Sequence, residues 1–391
     1  MPAFQLCFRM TILMRRFHFA LSSLVLVLAA QPLVAATYYV GICKSGAFAT
    51  ISAAVAGVPA GSTIFLCPGT YAEQFTISKA LTLRGITYNN STQAIIAVPS
   101  SGLTTTSSLF FGTLAAQVEV TTGPVNITGI TVDGTASSSN CPSANTPYVA
   151  IFYSSGSSGT VNEVEARYQN CNNLGLGILA ENGAGASQSV TIEKSNIHND
   201  TGSGITAYSD QTPSTLTALI KSNDVASGAM GIGGEGIDVE GTAGSVSDNN
   251  VAGYNVGVLA SSSSSPISGN TVSGGTDGIG VDAATIVSGN TVSNAAYGVY
   301  VFTPGAGSSV TSNHILNSLT DGISLVAGDA TIKNNVIVQP SSGIGIEFNC
   351  NTDTVSGNTI NGATTGMDFV PAAFTGVNTF YNVHTVRTGG C

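Results

Sequence analysis

The chain has 391 residues, of which only 8% are charged, and its formal net charge is −10. It contains 47 glycines and no tryptophan, and it is rich in Ser, Thr, Asn and Val, a composition that suits strands and turns better than helices. So few basic residues in an acidic chain exclude a nucleic-acid-binding protein.

The first 36 residues differ from the rest of the chain. A pair of arginines precedes an apolar run from Phe19 to Ala30, and small residues follow it. This order predicts a secretory signal peptide over residues 1–36 and a single mature domain over residues 37–391. The run is short for a membrane span, so an uncleaved anchor is the weaker alternative. We expect a secreted, periplasmic or cell-surface protein, without stable membrane insertion after cleavage.

Six cysteines remain after removal of that segment, an even number that favours disulfides in an oxidising compartment. We expect the sequence-local pairing, because a stack of neighbouring turns tolerates the loops that it closes. This pairing joins Cys43 with Cys67, Cys141 with Cys171, and Cys350 with Cys391. The alternative is that some of these thiols are simply buried.

A repeat of about 22 residues runs through the second half of the chain. Its most regular element is typified by SGNTV, and the matched asparagines are Asn223, Asn249, Asn270, Asn290, Asn313, Asn335 and Asn358. A glycine followed by an aliphatic residue comes eight or nine residues after most of them, at Gly257, Gly278, Gly298, Gly322, Gly343 and Gly366. Short strands and glycine turns at this period predict a β-solenoid. Leucine-rich repeats share the period, but this chain has few leucines.

The repeated asparagine has a physical role at a bend. Its amide can bond the amides of the turns above and below as a ladder, and asparagine tolerates left-handed backbone. Loss of one internal asparagine would leave polar groups of its neighbours without partners.

The segment GAFATISAAVAGVPAGSTIFLCPGTYAEQFTISKALTLRGI, residues 46–86, is similar to the opening of pectin methylesterases. With the repeats, it resembles secreted right-handed parallel β-helix proteins of the pectin-lyase-like superfamily, over about residues 37–385. The resemblance implies an all-β, right-handed parallel β-helix with three strands per turn and an asparagine ladder. It also implies a short capping helix near residues 49–56 and an active face on the Gly-aliphatic strands.

Residues two and four positions after each glycine are expected to face outward on those strands. Along the stack they are Leu179 and Glu181, Thr206 and Tyr208, Asp238 and Glu240, Leu259 and Ser261, Gly280 and Asp282, and Tyr300 and Phe302. The acids of this column, Asp238, Glu240 and Asp282, are the candidate catalytic residues, with expected separations of about 7 to 10 Å that inverting glycosidases also use. Asp238 and Glu240 equally suit Ca²⁺, which takes oxygen ligands.

Glu181, Tyr208 and Tyr300 are the candidate substrate-binding residues of the same face. The long link between Asn223 and Gly236 predicts one wall of a cleft. The alternative is that the acids form a solvated face that keeps the solenoid soluble.

A second polar patch is expected on the strands that follow the ladder. Its outward residues are Glu165, Arg167, Asn196, His198 and Asp224. The simplest interpretation is salt bridging between adjacent turns.

The catalytic signatures of the family are mostly missing. An isolated NTD at residues 351–353 precedes the ladder rather than lying on the active strand, and no Arg or Lys lies in the acidic column. The predicted function is therefore recognition of an extracellular polysaccharide without a proven catalytic site. The alternative is a carbohydrate-active enzyme, a polysaccharide lyase or glycoside hydrolase. The acidic charge favours a neutral glycan, or a polyanion bridged by calcium.

Overall fold

The computed structural model describes residues 36–87, 93–136, 141, 145–171, 174–183, 185, 187–213, 215–228, 234–302, 307–326, 329–348, 354–370 and 376–389. The chain from residue 37 onward forms one unit. Over the described residues, it winds through three parallel sheets in turn, and each strand pairs with the equivalent strand of the next turn. The predicted all-β, right-handed parallel solenoid is confirmed.

Sheet 1 consists of Thr37–Val40, Ser62–Leu66, Leu81–Gly85, Val125–Thr128, Gly159–Asn162, Gln188–Glu193, Leu216–Lys221, Ala243–Ser247, Ile267–Ser268, Ile286–Ser288, Ser308–Thr311, Ala330–Lys333 and Thr354–Ser356. Sheet 2 consists of Gly69–Ala72, Ala94–Ala97, Thr131–Asp133, Glu165–Arg167, Asn196–His198, Asp224–Ala226, Asn250–Ala252, Thr271–Ser273, Thr291–Ser293, His314–Leu316, Val336–Val338, Thr359–Asn361 and Thr379–Tyr381.

Sheet 3 contains the Gly-aliphatic strands. The strands of this sheet are Phe75–Ile77, Gly112–Val120, Tyr148–Tyr153, Gly175–Asn182, Ile205–Ser209, Glu235–Glu240, Val256–Ser261, Asp277–Val281, Tyr297–Val301, Asp321–Leu325, Ile344–Glu347, Thr365–Val370 and Thr385–Gly389. Thr106–Ser108 adds an antiparallel strand to Gly112–Val120, and the two form a hairpin on this sheet.

The core is a column of aliphatic side chains inside the coil. Ile267 pairs with Val246 on one side and with Val287 on the other, and all three side chains are fully buried. Because the strands are in register from turn to turn, like residues stack on like, and burial of each turn's apolar residues depends on the next turn.

The asparagine ladder is confirmed. The backbone amide and the side-chain Nδ2 of each ladder asparagine donate to Oδ1 of the next, at 2.9 and 3.0 Å from Asn270 to Asn290. Ser195 begins the row and Asn378 ends it. At each bend, the residue with left-handed backbone is the one before the asparagine, as at Ser222 (φ 57°). The ladder asparagine itself does not adopt the left-handed conformation expected from the sequence.

The predicted capping helix is present at Ile51–Gly57. The Thr50 side chain accepts a hydrogen bond from the Ala53 amide at 3.1 Å, a typical N-cap. The apolar face of the helix packs on the first turns through Ile51 and Val55. The helix therefore covers the apolar end of the coil.

Two of the three predicted disulfides are confirmed, Cys43–Cys67 and Cys141–Cys171. The third, between Cys350 and Cys391, lies outside the described residues, as do residues 1–35 of the predicted signal peptide. None of the helices formed by the described residues has the length and hydropathy needed to cross a membrane.

Candidate functional site

The outward column predicted on sheet 3 is confirmed. Thr206 pairs with Asp238, Asp238 with Leu259, Leu259 with Gly280, and Gly280 with Tyr300. The residues on either side of Asp238, Ile237 and Val239, are fully buried in the core. The strand alternation thus turns the Asp238 side chain away from the interior.

Asp238 faces outward but is only 5% exposed, so its interpretation as a solvated carboxylate was wrong. Its Oδ1 is buried, and no group of the described chain hydrogen-bonds to it. Burial, followed by the negative charges of Glu235, Glu240 and Asp282, raises the pKa of Asp238 well above its ordinary value. Asp238 therefore keeps its proton at pH values where an exposed aspartate has lost it.

The other two candidate acids have different surroundings. Glu240 is partly exposed, and burial, then the charges of Asp282 and Glu235, raises its pKa. Asp282 accepts a hydrogen bond of 2.7 Å from the Ser261 hydroxyl and another from the Ser262 amide. The site thus combines a buried acid, a half-open carboxyl group and a hydrogen-bonded carboxylate.

The hairpin of Thr106–Ser108 and Gly112–Val120 folds over one end of this face, and Glu181 holds it there. Glu181 is 2% exposed. It accepts hydrogen bonds from the Ser108 hydroxyl at 2.8 Å and from the Leu109 and Phe110 amides at 2.9 and 3.2 Å. The carboxylate of this candidate substrate-binding residue is therefore occupied by the protein itself.

Tyr208 lies beside Glu240 in the register of the sheet and is only partly buried. Its ring centroid is 4.8 Å from that of Phe110 at the hairpin tip, and Phe110 is 36% exposed. The hairpin of Thr106–Ser108 and Gly112–Val120 therefore forms one wall beside Tyr208 on this face. The wall predicted between Asn223 and Gly236 includes residues 229–233, which lie outside the described residues.

Residues 235–383 match the family model described as the right handed beta helix region. The described residues have the fold of a right-handed parallel β-helix, and this match agrees with that fold. No curated protein matches it. Among solved structures, the Dettilon tailspike protein is similar over 82% of this chain and 62% of the tailspike chain, with 15% identity and a TM-score of 0.55. This likeness shows the fold, and the β-helix spans less than two thirds of the tailspike's length.

Two further solved structures align over most of the β-helix with lower scores. The periplasmic alginate epimerase AlgG has 10% identity and a TM-score of 0.48, over 87% of this chain and 84% of the epimerase. The A-module of the Azotobacter vinelandii mannuronan C-5 epimerase AlgE6 has 16% identity and a TM-score of 0.46, over 87% and 93%.

Tyr300, the third candidate substrate-binding residue, lies apart from the acids of the β-helix around Asp238. A Cβ atom on Gly280 would lie 3.0 Å from the Phe302 ring and 3.2 Å from the Leu259 side chain, so these two side chains close over the glycine. They form an apolar ridge between Asp238 and Tyr300. We call Asp238, Glu240, Asp282 and Tyr208 the first site.

No three His, Cys, Asp or Glu side chains among the described residues of the β-helix lie close enough together to hold a metal ion. A calcium site at Asp238 and Glu240 would therefore need other oxygen ligands, from backbone, hydroxyl groups, water or the bound molecule.

The second predicted patch of the β-helix, on sheet 2, is a closed ion-pair network. Arg167 contacts Asp133 at 2.8 Å and Glu165 at 3.0 Å, and His198 lies 3.0 Å from Glu165. Asn196 and Asp224 are exposed, and Asp224 accepts a hydrogen bond from Asn250. The predicted bridging between turns is confirmed. The charged side chains of Arg167, Asp133 and Glu165 contact one another.

Sequence reasoning missed a second group of acids on sheet 3. Gly343 was taken as the register glycine of its turn, but Ile323 pairs with Ile346, so the equivalent glycine is Gly345. The correction places Glu347 next to Ser324 in the outward column. Asp321 precedes the glycine of its turn, a position that the outward rule did not consider. Correct register would have placed Glu347 in the column, whereas Asp321 would have required a rule that includes the residue before the glycine.

Proposed function

We propose that this β-helix is an exported protein that binds a neutral, hydroxyl-rich extracellular glycan at the first site. The basic, apolar and small-residue order of residues 1–36 supports export, and so do the two disulfides, because disulfides persist in oxidising compartments.

The observation that carries the binding proposal is the buried Asp238 carboxyl group, whose Oδ1 receives no hydrogen bond from the described residues. A protonated carboxyl donates and accepts hydrogen bonds, as a sugar hydroxyl does. Glu240 and Asp282 beside it add acceptors, and the partly exposed Tyr208 and Phe110 rings offer apolar faces for a sugar ring. The acidic surroundings disfavour an anionic ligand.

A second candidate function is glycoside hydrolysis at the same residues. It is favoured by the contrast between Asp238, whose pKa is raised by burial, and Asp282, which is held by two hydrogen-bond donors. A carboxyl group that burial keeps protonated can act as a general acid, and glycosidases pair such a group with a second carboxyl group. New reducing ends after incubation with a glycan would support this function, and 4,5-unsaturated products would instead indicate a lyase.

The test of binding is a panel of neutral and anionic polysaccharides, titrated against the purified mature protein and its Asp238→Asn/Glu240→Gln variant. Both changes keep the side-chain shape and remove an ionisable carboxyl group. We expect binding of a neutral glycan to weaken at least tenfold, or about 1.4 kcal/mol.

The matched control is Asp224→Asn/Asp248→Asn, which removes two exposed carboxylates away from the first site. The affinity of this control variant for the neutral glycan should equal that of the unaltered protein. Equal losses in both double variants, or no loss in the first, would contradict a binding role for Asp238 and Glu240.

A further inference from the structure

A polar cleft lies at the N-terminal end of sheet 3, lined by the edge strand Phe75–Ile77 and by the hairpin. Its volume is about 360 Å³, within the ~300 to 1,000 Å³ that small-molecule sites occupy. Its two apolar lining residues, Phe75 and Ala116, are buried, so the surface that it offers a ligand is polar. The polar lining side chains are those of Gln74, Thr76, Thr104, Thr105, Thr106 and Glu119. We call this feature the Glu119 cleft.

Glu119 organises the hydroxyl groups of the cleft. It lies beside Thr76 in the register of the sheet and is partly exposed. Its Oε2 accepts a 3.0 Å hydrogen bond from the Thr76 hydroxyl, and its Oε1 accepts one of 2.9 Å from the Thr106 hydroxyl. A carboxylate has about four lone-pair sites, so about two remain for a ligand. None of the Lys, Arg or His side chains of the described residues forms an ion pair with Glu119.

Gln74 fixes the segment that leads into the hairpin. Its Oε1 accepts hydrogen bonds from the Thr104 amide at 2.8 Å and from the Thr104 hydroxyl at 2.9 Å. Its Nε2 donates at 2.8 Å to the carbonyls of Thr104 and Ala116. Both ends of the Gln74 amide are thus used within the protein. The cleft is formed before any ligand arrives, which lowers the entropic cost of binding.

These hydrogen bonds leave the cleft rich in acceptors. The hydroxyl protons of Thr76 and Thr106 are donated to Glu119, and that of Thr104 is donated to Gln74. Each of these hydroxyl oxygens keeps lone pairs, but its proton is already used. The fourth lining threonine is exposed, and its hydroxyl can rotate to accept as well as donate. A matching ligand must therefore bring donors.

A protonated primary amine fits such a surface. It carries three donors, no acceptor and a positive charge, so it can contact the Glu119 carboxylate and the neighbouring hydroxyl oxygens together. The net charge of the chain, −10, also favours a cation over an anion. A neutral sugar is matched less well, because its hydroxyl groups present lone pairs to those of the cleft. A divalent metal ion is matched less well, because Glu119 is the only acid that lines the cleft among the described residues.

We propose that the Glu119 cleft binds an amino sugar with a free, protonated amine, such as a non-acetylated glucosamine unit of an oligosaccharide. The amine contacts Glu119, and the hydroxyl groups of the sugar donate to the threonine oxygens. A linear polyamine is a poorer ligand, because its methylene chain would lie along polar side chains and gain little from burial.

The hairpin separates this cleft from the first site. Phe152 and Leu179 follow Glu119 in the outward column of sheet 3. Both side chains are fully buried and pack with Leu114 of the hairpin. Asp238 comes four turns after Glu119, a distance of about 19 Å at ~4.8 Å per turn. An amino sugar in the cleft is therefore distinct from the neutral glycan proposed for the first site.

The first experiment is an NMR titration of the isotope-labelled mature protein at about pH 6, where an amine with a pKa near 8 is protonated. The probes are a β-1,4-linked glucosamine tetramer, its fully N-acetylated counterpart and spermidine. We expect the glucosamine tetramer to bind at least tenfold more tightly than either of the others and to shift the amide signals of Thr104, Thr106 and Glu119. Absence of binding, equal affinity for any other probe, or shifts confined to other residues would overturn the proposal.

The second experiment compares variants with matched controls. Glu119→Gln keeps the side-chain shape and removes the charge, so binding of the glucosamine tetramer should weaken at least tenfold. Asp224→Asn, which removes an exposed carboxylate of sheet 2, should bind as the unaltered protein does. Equal losses in the two variants would show general attraction to an acidic protein, and unchanged binding in Glu119→Gln would remove the role of this carboxylate. Either result would overturn the proposal.

A threonine variant keeps the test decisive if Glu119→Gln does not fold. Thr76 is exposed, and Thr76→Val keeps its shape but removes an acceptor of the cleft. Binding of the glucosamine tetramer should weaken in Thr76→Val and stay unchanged in Thr271→Val, which alters an exposed threonine of sheet 2. The same affinity in both variants would contradict binding in the cleft.

The variant of the first site separates the two proposals. Asp238→Asn/Glu240→Gln should leave binding of the glucosamine tetramer unchanged, whatever its effect on a neutral glycan. Loss of tetramer binding in this double variant, with unchanged binding in Glu119→Gln, would place the amine at the first site and overturn its assignment to the cleft.

Discussion

Oδ1 of Asn249 accepts two hydrogen bonds from Asn223, one from the backbone amide and one from Nδ2, both at 2.9 Å. The Nδ2 of Asn249 in turn donates at 3.0 Å to the Ile220 carbonyl and to Oδ1 of Asn270. One side chain thus satisfies buried groups in three successive turns.

Replacement of Asn249 by Ala should destabilise the β-helix by about 3 kcal/mol, because two N–H donors of Asn223 would lose their acceptor and the Ile220 carbonyl would lose a donor. Chemical denaturation of the mature protein measures this. The control is the next residue, Asn250→Ala. Asn250 is exposed, and its side-chain Nδ2 donates to the exposed Asp224 side chain, so a loss below about 0.5 kcal/mol is expected. Equal losses would contradict a stabilising role of the ladder.

Glu181→Ala should free the hairpin tip, because Ser108 and the amides of Leu109 and Phe110 would lose their acceptor. We expect new protease cleavage within residues 105–111 and a loss of about 2 kcal/mol. Glu181→Gln keeps one acceptor oxygen and should show an intermediate effect. Unchanged protease resistance in Glu181→Ala would show that the other contacts of the hairpin, such as the Phe110 ring against Tyr208, are enough to hold it.

The repeat carried enough information to predict the column of sheet 3 around Asp238, because the glycine and the ladder asparagine fix the register of most turns. Asp238 and Tyr300 therefore fall in the predicted column. The burial of Glu181 was not predictable in this way. It depends on a hairpin that interrupts the repeat and that contacts Glu181 from 72 residues away in the sequence.

The Asp321 and Glu347 pair was missed for a different reason. Two extra residues precede Gly345 in its turn, and Gly343 lies in the left-handed region with φ 75°. Both glycines are followed by isoleucine, so the local sequence fits either register. Only pairing with the neighbouring strand decides between them.

Arg167→Met should destabilise the protein by about 1.5 kcal/mol at pH 7, because Asp133 and Glu165 would lose a charged hydrogen-bond donor. Lys221→Met is the control. Lys221 pairs with Glu193 at 2.9 Å, but its side chain is 47% exposed, so the expected loss is about 0 to 1 kcal/mol.

The Arg167 effect should depend on pH. Partial burial acts to raise the pKa of Glu165, but the hydrogen bonds from His198 and Thr131 and the Arg167 charge outweigh it and lower the pKa. For Asp133, burial is likewise outweighed by hydrogen bonds from Thr135 and by Arg167. Lowered carboxyl pKa values stabilise the fold above about pH 4 and lose that effect as the pH falls. The difference between Arg167→Met and the unaltered protein should shrink below pH 4 in thermal melts.

The last prediction concerns Asp238 without any ligand. Because burial raises its pKa in the folded state, its contribution to stability is fully present below about pH 4, the ordinary value for aspartate. That contribution is lost as the pH rises through the folded-state pKa, since the folded protein resists ionising this group. Asp238→Asn removes the ionisation, so its melting temperature relative to the unaltered protein should rise by a few degrees between pH 4 and pH 8. Asp224→Asn, which alters an exposed carboxylate of sheet 2, is the charge-matched control. A difference for Asp238→Asn that stays constant over this range, or that falls as the pH rises, would show that Asp238 is ionised in the folded protein and would remove its role as the buried acid of the first site.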